Sequence, residues 1–384
     1  MSEYQYYEFQ AIDRRLTDQE MNSLRGYSSR AEITPSSFAV SYSWGDFKGD
    51  PAAWMGRYFD AFLYLANWGT HELRLSLPES LLPLGTVEPY CLGDALAARA
   101  KRDRVVLRLR SEGEGEGGWI DEGGASELLP RLIPLREELA AGDLRPLYLA
   151  WLQGAQVGGC GEEVREPPCP PGLGALSAAQ EALAEFLRLD LDLVEAAAAG
   201  SPEPTGAGDA DALRRWIAAL PEQEKTALLV RVVEGEDALL PAELRRRCRE
   251  SRGTGSLPPE RPARTVGELL RATEQCAERR REAQAKCEAQ ERARHARREA
   301  VERERRLDAL APREAQAWQE VEALVESKKP RSYEAAVALL TDLHALGVRE
   351  ERRPEVEARL FRLRARHERK STFVQRLAKA RLFG

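Results

Sequence analysis

The chain has 384 residues, 43% hydrophobic and 31% charged, with a net charge of −6. That length suits two or three domains, each able to bury a core, and the absence of any run of about 18 apolar residues excludes an expected membrane span. The start MSEYQYYEFQ lacks the basic-then-apolar order of a secretion signal. The six cysteines (Cys91, Cys160, Cys169, Cys248, Cys276, Cys287) have no paired spacing, so free thiols in a reducing cytosol are expected. Charge is uneven: residues 1–151 sum to −7 (16 basic, 23 acidic), 152–264 to −6 (13 and 19) and 265–384 to +7 (28 and 21).

Residues 4–12 (YQYYEFQAI) are β-prone. Thr17 and Glu20 stand at capping-box spacing, which predicts a short helix over 16–24. Two short strands are expected at 31–34 and 38–44, split by the turn Pro35-Ser36-Ser37. Asp50 then Pro51 reads as an N-cap with proline at the first helical position. The helix after it would set Trp54, Tyr58, Phe62 and Leu65 on one face, with Met55, Phe59 and Leu63 beside them. Gly69 closes that helix, and 72–77 alternates as a strand. This β-α-β-β-α-β order predicts an α+β head of ferredoxin-like topology. An extra strand at 105–110, an acidic glycine-rich loop at 111–118 and a proline-interrupted helical stretch over 128–151 complete it.

The stretch 158–174 (GGCGEEVREPPCPPGLG) is a linker by composition. A helix over 176–199, a second linker at 200–209 and helices near 212–219, 222–233 and 242–249 follow. After Pro258-Pro259 comes the most distinctive stretch, 265–310. Thr265 and Glu268 repeat the capping-box spacing, and neither proline nor glycine occurs between Gly267 and Pro312. From Glu274 to Arg306, 19 of 33 residues are charged, so a helix roughly 65 Å long is expected as a spacer, a strut or one arm of a hairpin, not a core element. Shorter helices are expected at 313–327, 333–346, 354–369 and 372–381, with Lys328-Lys329-Pro330 and Gly347 as breaks. The expected domains are therefore an aromatic-rich head (1–151), a linker and small helical region (152–264), the long charged helix (265–311) and a basic helical tail (312–384).

Catalytic motifs are absent: no Walker A loop, G-x-S-x-G elbow, H-E-x-x-H or dinucleotide fingerprint occurs. No cofactor or metal site is expected; Cys160 and Cys169 are too far apart for a structural zinc pair. In the loop WGDFKGD, Asp46, Lys48 and Asp50 could meet a cation or phosphate, but a helix cap and a turn are the preferred reading. On the long helix, Ala285, Ala289, Ala293, Ala296 and Ala300 step at near-heptad spacing toward Leu307, either a weak packing seam or one side of a bare, ion-paired helix. Arg359, Arg362, Arg364, Arg366, Arg369, Lys370, Arg376, Lys379 and Arg381 make the tail basic, a composition suited to nucleic acid or to an acidic partner surface.

The segments Tyr333-x-x-Ala336-Val337-x-Leu339-Leu340 and Arg366-His367-x-Arg369-Lys370-x-x-Phe373 resemble, over residues 324–382, the C-terminal region of bacterial proteins that carry a SWIM zinc finger. The zinc-binding C-x-C…C-x-H pattern of that module is absent, so the resemblance implies no metal site. YYEFQAIDR, WGDFKGD and YFDAFLYLANWGT are similar to a bacterial family of the same layout, whose genes accompany those of SWIM proteins and Swi/Snf-like helicases. The resemblance implies a cytosolic, non-catalytic scaffold or adaptor in a nucleic-acid-handling assembly, with such proteins as partners. Direct nucleic-acid binding by the tail is the alternative, and an enzyme using the acidic head is the weakest reading.

Overall fold

The structure, a computed structural model, describes residues 4–113, 122–203, 209–234, 239–251, 263–327, 329–380 and 382. Most of the expected loop 111–118, residues 204–208 of the second linker, Pro258-Pro259, Lys328 and Arg381 lie outside the described residues. The chain divides into two compact units, Met1–Arg280 and Arg281–Gly384.

The first unit is built on β1 (Gln5–Gln10), β2 (Glu32–Thr34), β3 (Ser37–Tyr42), β4 (Ala61–Ala66), β5 (Thr70–Pro78), β6 (Leu96–Lys101) and β7 (Arg104–Glu112). They form one sheet in the order β2-β3-β1-β4-β5-β7-β6, antiparallel at every pairing. This corrects the ferredoxin-like expectation. That topology needs a crossover helix between parallel neighbours, yet the helix begun by Asp50 ends after one turn, at Pro51–Trp54. The apolar run after it is β4. A strand buried on both faces reads as a continuous apolar stretch, so periodicity alone does not separate it from a buried helix.

Strand parity gives that sheet two different faces. Ala61, Leu63 and Leu65 of β4 join Leu73, Leu75, Leu77, Leu107 and Leu109 in the larger core. Helices Leu128–Leu132, Pro134–Ala140, Arg145–Gln156, Ala178–Phe186 and Leu191–Ala198 contribute to the same core. Phe62 turns the other way, into an aromatic cluster with Tyr7, Phe9, Phe38, Trp54 and Phe59. The Phe9 ring centroid lies 4.5 Å from Phe62, 5.0 Å from Trp54 and 5.1 Å from Phe59, all tilted pairs of the favourable kind. Helix Asp18–Arg25, with its Thr17/Glu20 capping box, adds Leu24 to this cluster.

Two expected boundaries are absent. Residue 151 falls inside helix Arg145–Gln156, whose Trp151 and Leu152 are core residues. The supposed linker 158–174 is a strap fixed to the unit: Glu166 and Leu173 are buried, and Tyr90 donates from its hydroxyl to the Pro168 carbonyl at 2.8 Å. The helix expected over 176–199 is two, Ala178–Phe186 and Leu191–Ala198, broken where Arg188 takes a left-handed φ of 56° and Asp190 caps the second. Helices Asp209–Ala219, Glu222–Glu234 and Leu240–Ser251 occupy the rest of the middle.

The long helix is a single element, Val266–Leu310, and its capping box is present: Glu268 N–H donates to Thr265 Oγ1 and Thr265 N–H to Glu268 Oε2. Val266, Leu269 and Cys276 are buried in the first unit's core. Every residue from 281 to 306 is exposed.

In the second unit Leu307 and Leu310 join a helical core with Glu314–Glu326, Pro330–Arg349, Arg353–Arg366 and Ser371–Lys379. Trp318, Leu340, Leu360, Phe373 and Leu377 lie at its centre. Gly347 does not break the second of these helices, which runs on to Arg349. A Cβ there would come within 2.5 Å of Val356, so the glycine serves close helix–helix approach.

Candidate functional surfaces

The polar loop resolves into structural roles. Asp50 Oδ1 caps its helix by accepting from Ala53 N–H at 3.0 Å, and Asp46 accepts from the Gln5 amide at 3.2 Å. Phe47 packs on the aromatic cluster, while Lys48 and Trp44 point outward. Among the described residues, no group of three or more His, Cys, Asp or Glu side chains could hold a metal ion.

The basic tail divides. Arg366 pairs with Glu322 at 3.1 Å, and Arg376 with Glu334 at 3.0 Å. Lys370 donates to the Val325 carbonyl, and Arg359 lies 4.4 Å from the centroid of the Trp318 ring, a cation–π contact. These four fasten the last two helices to the rest of the unit. Arg362, Arg369 and Lys379 stay exposed without an ion pair among the described residues; Arg362 bonds only the Ala358 carbonyl of its own helix. Arg364 is exposed too, as is Phe361 at 57%.

The alanine seam also divides. Ala285, Ala289, Ala293, Ala296 and Ala300 are exposed, and Leu307 alone reaches a core. Cys287 is exposed on the same stretch, whereas Cys276 and Cys248 are buried.

Three further features lie outside the residues expected as sites. The first is helix Glu222–Glu234, which leaves Leu229 (64%), Val230 (48%), Val232 (61%) and Val233 (85%) exposed. Two of its ion pairs, Arg231–Glu243 and Arg247–Glu224, lie toward helix Leu240–Ser251. The run TALLVRVV could have marked it, since six apolar residues in eight exceed what one buried stripe requires.

The second is the root of the long helix. Residues 162–166 form a short antiparallel ladder with 264–267: Glu166 N–H donates to the Arg264 carbonyl, Val266 N–H to Val164 and Gly267 N–H to Glu162. Arg264 grips the buried Glu166 carboxylate through Nε and Nη2 at 2.8 and 2.9 Å, and Tyr148 donates to the same carboxylate. Its Nη1 also reaches the Ala196 carbonyl near the end of helix Leu191–Ala198. Burial, then the nearby Glu166 charge, pushes the adjacent Cys169 thiol up to about 11, which keeps it protonated near neutral pH.

The third is a buried polar node. Arg136, 1% exposed, donates to the Ser76 carbonyl and to Asp13, and Arg104 bridges Asp13, Asp60 and Ser76. Every one of these four charges has a partner within the node, which staples the start of the chain to β5, β7 and helix Pro134–Ala140. Comparison with protein-family models, curated proteins and solved structures finds no match to this chain.

Proposed function

We propose that this chain is a non-catalytic adaptor that docks a protein partner on the exposed face of helix Glu222–Glu234. The observation that carries this reading is the apolar run Leu229, Val230, Val232 and Val233, held outward while Arg231 and Glu224 pair with helix Leu240–Ser251. Contiguous apolar surface of this kind marks interaction sites more often than scattered single residues do. The polar nodes of the first unit are internally satisfied, and the long helix supplies a solvated spacer, both of which suit an adaptor better than an enzyme. By analogy with the resembled bacterial families, the partner is a SWIM-module protein or a Swi/Snf-like helicase. The test is affinity purification of the full chain from its native host beside Leu229→Glu/Val233→Glu. Loss of such a partner in the variant supports the proposal; equal recovery from both chains sinks this docking face.

A second reading rests on Arg362, Arg369 and Lys379, which make no ion pair among the described residues, beside the exposed Phe361. Binding of nucleic acid there would weaken steeply with salt through counterion release. Charge reversal belongs at Arg362 and Arg369 and not at Arg366, whose pair with Glu322 is part of the fold. If the full chain shows no salt-sensitive shift of duplex or single-stranded oligonucleotides, or if the reversals leave a shift unchanged, this reading falls.

A further inference from the structure

His71 stands on β5, between its pairing partners Leu65 of β4 and Ser111 of β7. Its ring stacks on Phe186 at a centroid distance of 5.2 Å. Nδ1 lies 3.0 Å from the Phe186 carbonyl, and Nε2 lies 3.0 Å from Arg188 Nη2. A carbonyl only accepts and a guanidinium only donates, so Nδ1 carries the proton and Nε2 is a bare acceptor. The ring is therefore neutral. Arg188 is further fixed through Nη1, which donates to the Gly69 carbonyl at 2.8 Å and to Ser111 Oγ at 3.2 Å. These bonds hold Arg188 in its left-handed conformation (φ 56°), which non-glycine residues adopt at a cost.

The segment that Arg188 begins bears on the long helix. The Arg188 carbonyl accepts from Gln156 Nε2, and Gln156 Oε1 accepts from Asp190 N–H. Asp190 caps the helix that presents Asp192, and buried Asp192 pairs with Arg280 at 2.7 Å. Arg280 lies on the long helix, at the end of the part that belongs to the first unit.

We propose that His71 and Arg188 form an acid-sensitive latch that holds segment 186–192, and through Asp192 the root of the long helix. Protonation of Nε2 replaces the acceptor facing Arg188 with a like-charged donor. That bond is lost, and the segment is released from its left-handed turn. Ser111, Gly69 and Phe186 offer no counter-charge, and among the described residues Arg188 is the one charged group acting on His71. Burial, opposed by the Phe186 carbonyl hydrogen bond and helped by the Arg188 charge, holds the His71 pKa below its ordinary value of 6.5. Stability from the latch is thus complete at neutral pH and is lost as pH falls through and below that value.

Hydrogen–deuterium exchange of the full chain, corrected for the intrinsic effect of pH, tests this between about pH 7.5 and about pH 5. Peptides covering 186–192 and 268–280 should exchange at least about tenfold faster at the acid end, while β1 and β4 stay protected. His71→Gln keeps a neutral hydrogen-bonding side chain and should flatten that response. In parallel, proton NMR of the histidine rings should show the His71 midpoint below 6.5 in the wild type and moved upward in Arg188→Met. That second variant reports even if His71→Gln folds poorly. An unchanged His71 midpoint in Arg188→Met, or an acid response that persists in a folded His71→Gln, overturns the latch.

Discussion

In the first unit Arg136 and Glu166 are 1% and 7% exposed, each held by several hydrogen bonds from segments far apart in sequence. In the second unit Arg366 and Glu322 meet on the surface, with side chains 67% and 49% exposed, through one contact of 3.1 Å. Both units tie distant segments together with arginine, but the energetics differ. A buried pair that loses one partner leaves a stranded charge, whereas an exposed pair exchanges its contact for water at little loss. The sheet-based unit is therefore fixed by buried polar staples as well as by its core, and the helical unit mainly by its core, with more exposed pairs such as Arg366–Glu322 and Arg376–Glu334 adding little.

The largest effect expected from breaking this contrast is at Glu166. Glu166→Ala strands Arg264 and frees the root of the long helix, and should destabilise the first unit by about 4 kcal/mol. Urea unfolding followed by near-ultraviolet circular dichroism reads this directly; a shift below about 1 kcal/mol would place the staple with ordinary surface pairs. In the second unit the equivalent vulnerability is apolar. Phe373 is fully buried, with its ring 5.7 Å from that of Tyr333, and Phe373→Ala should cost about 3 kcal/mol or more. Loss of far-ultraviolet signal on heating should shift for the helical unit, leaving the near-ultraviolet signal of the aromatic sheet unit in place.

A smaller effect is expected at Glu8, where burial, opposed by the Tyr6 hydrogen bond, raises the carboxyl to about 7. The folded state then holds a proton that the unfolded state has released above 4.5. Stability from this group is complete below that value and is lost as pH rises toward 7. Glu8→Gln should raise stability at pH 8 by about 1 kcal/mol, after allowance for its partial exposure, and leave it unchanged at acid pH. A benefit equal at both pH values would rule out the protonation argument. The smallest effect belongs to the exposed alanines. Replacing Ala289, Ala293 and Ala296 together by glutamate should change each unit's melting by no more than a few tenths of a kcal/mol per site. The association state should also stay the same, and a change in it by light scattering would restore the packed seam.

Basic composition and the resembled segments pointed to the tail, but which of its cations remain available was not legible. Arg352 finds Glu314 38 residues away and Arg366 finds Glu322 44 residues away, and no local pattern announces such partners. The exposed apolar helix was written in TALLVRVV, yet the same letters would serve a buried helix equally well. Whether a neighbour covers them is a property of the whole fold.

What the sequence determined by itself is the local chemistry of chain ends and starts. Thr17 with Glu20, Asp50 with Pro51, and Thr265 with Glu268 each begin a helix where expected, because capping hydrogen bonds close within three residues. The long charged helix was legible for the same reason: its stability comes from residues three and four apart. Tertiary structure alone decided that 61–66 is a strand between β1 and β5, that residues 162–166 bind the root of the long helix, and that the sheet is antiparallel throughout. Those outcomes depend on pairing partners and burial supplied by segments up to about a hundred residues away (Glu166 to Arg264 spans 98). No window of local periodicity contains them.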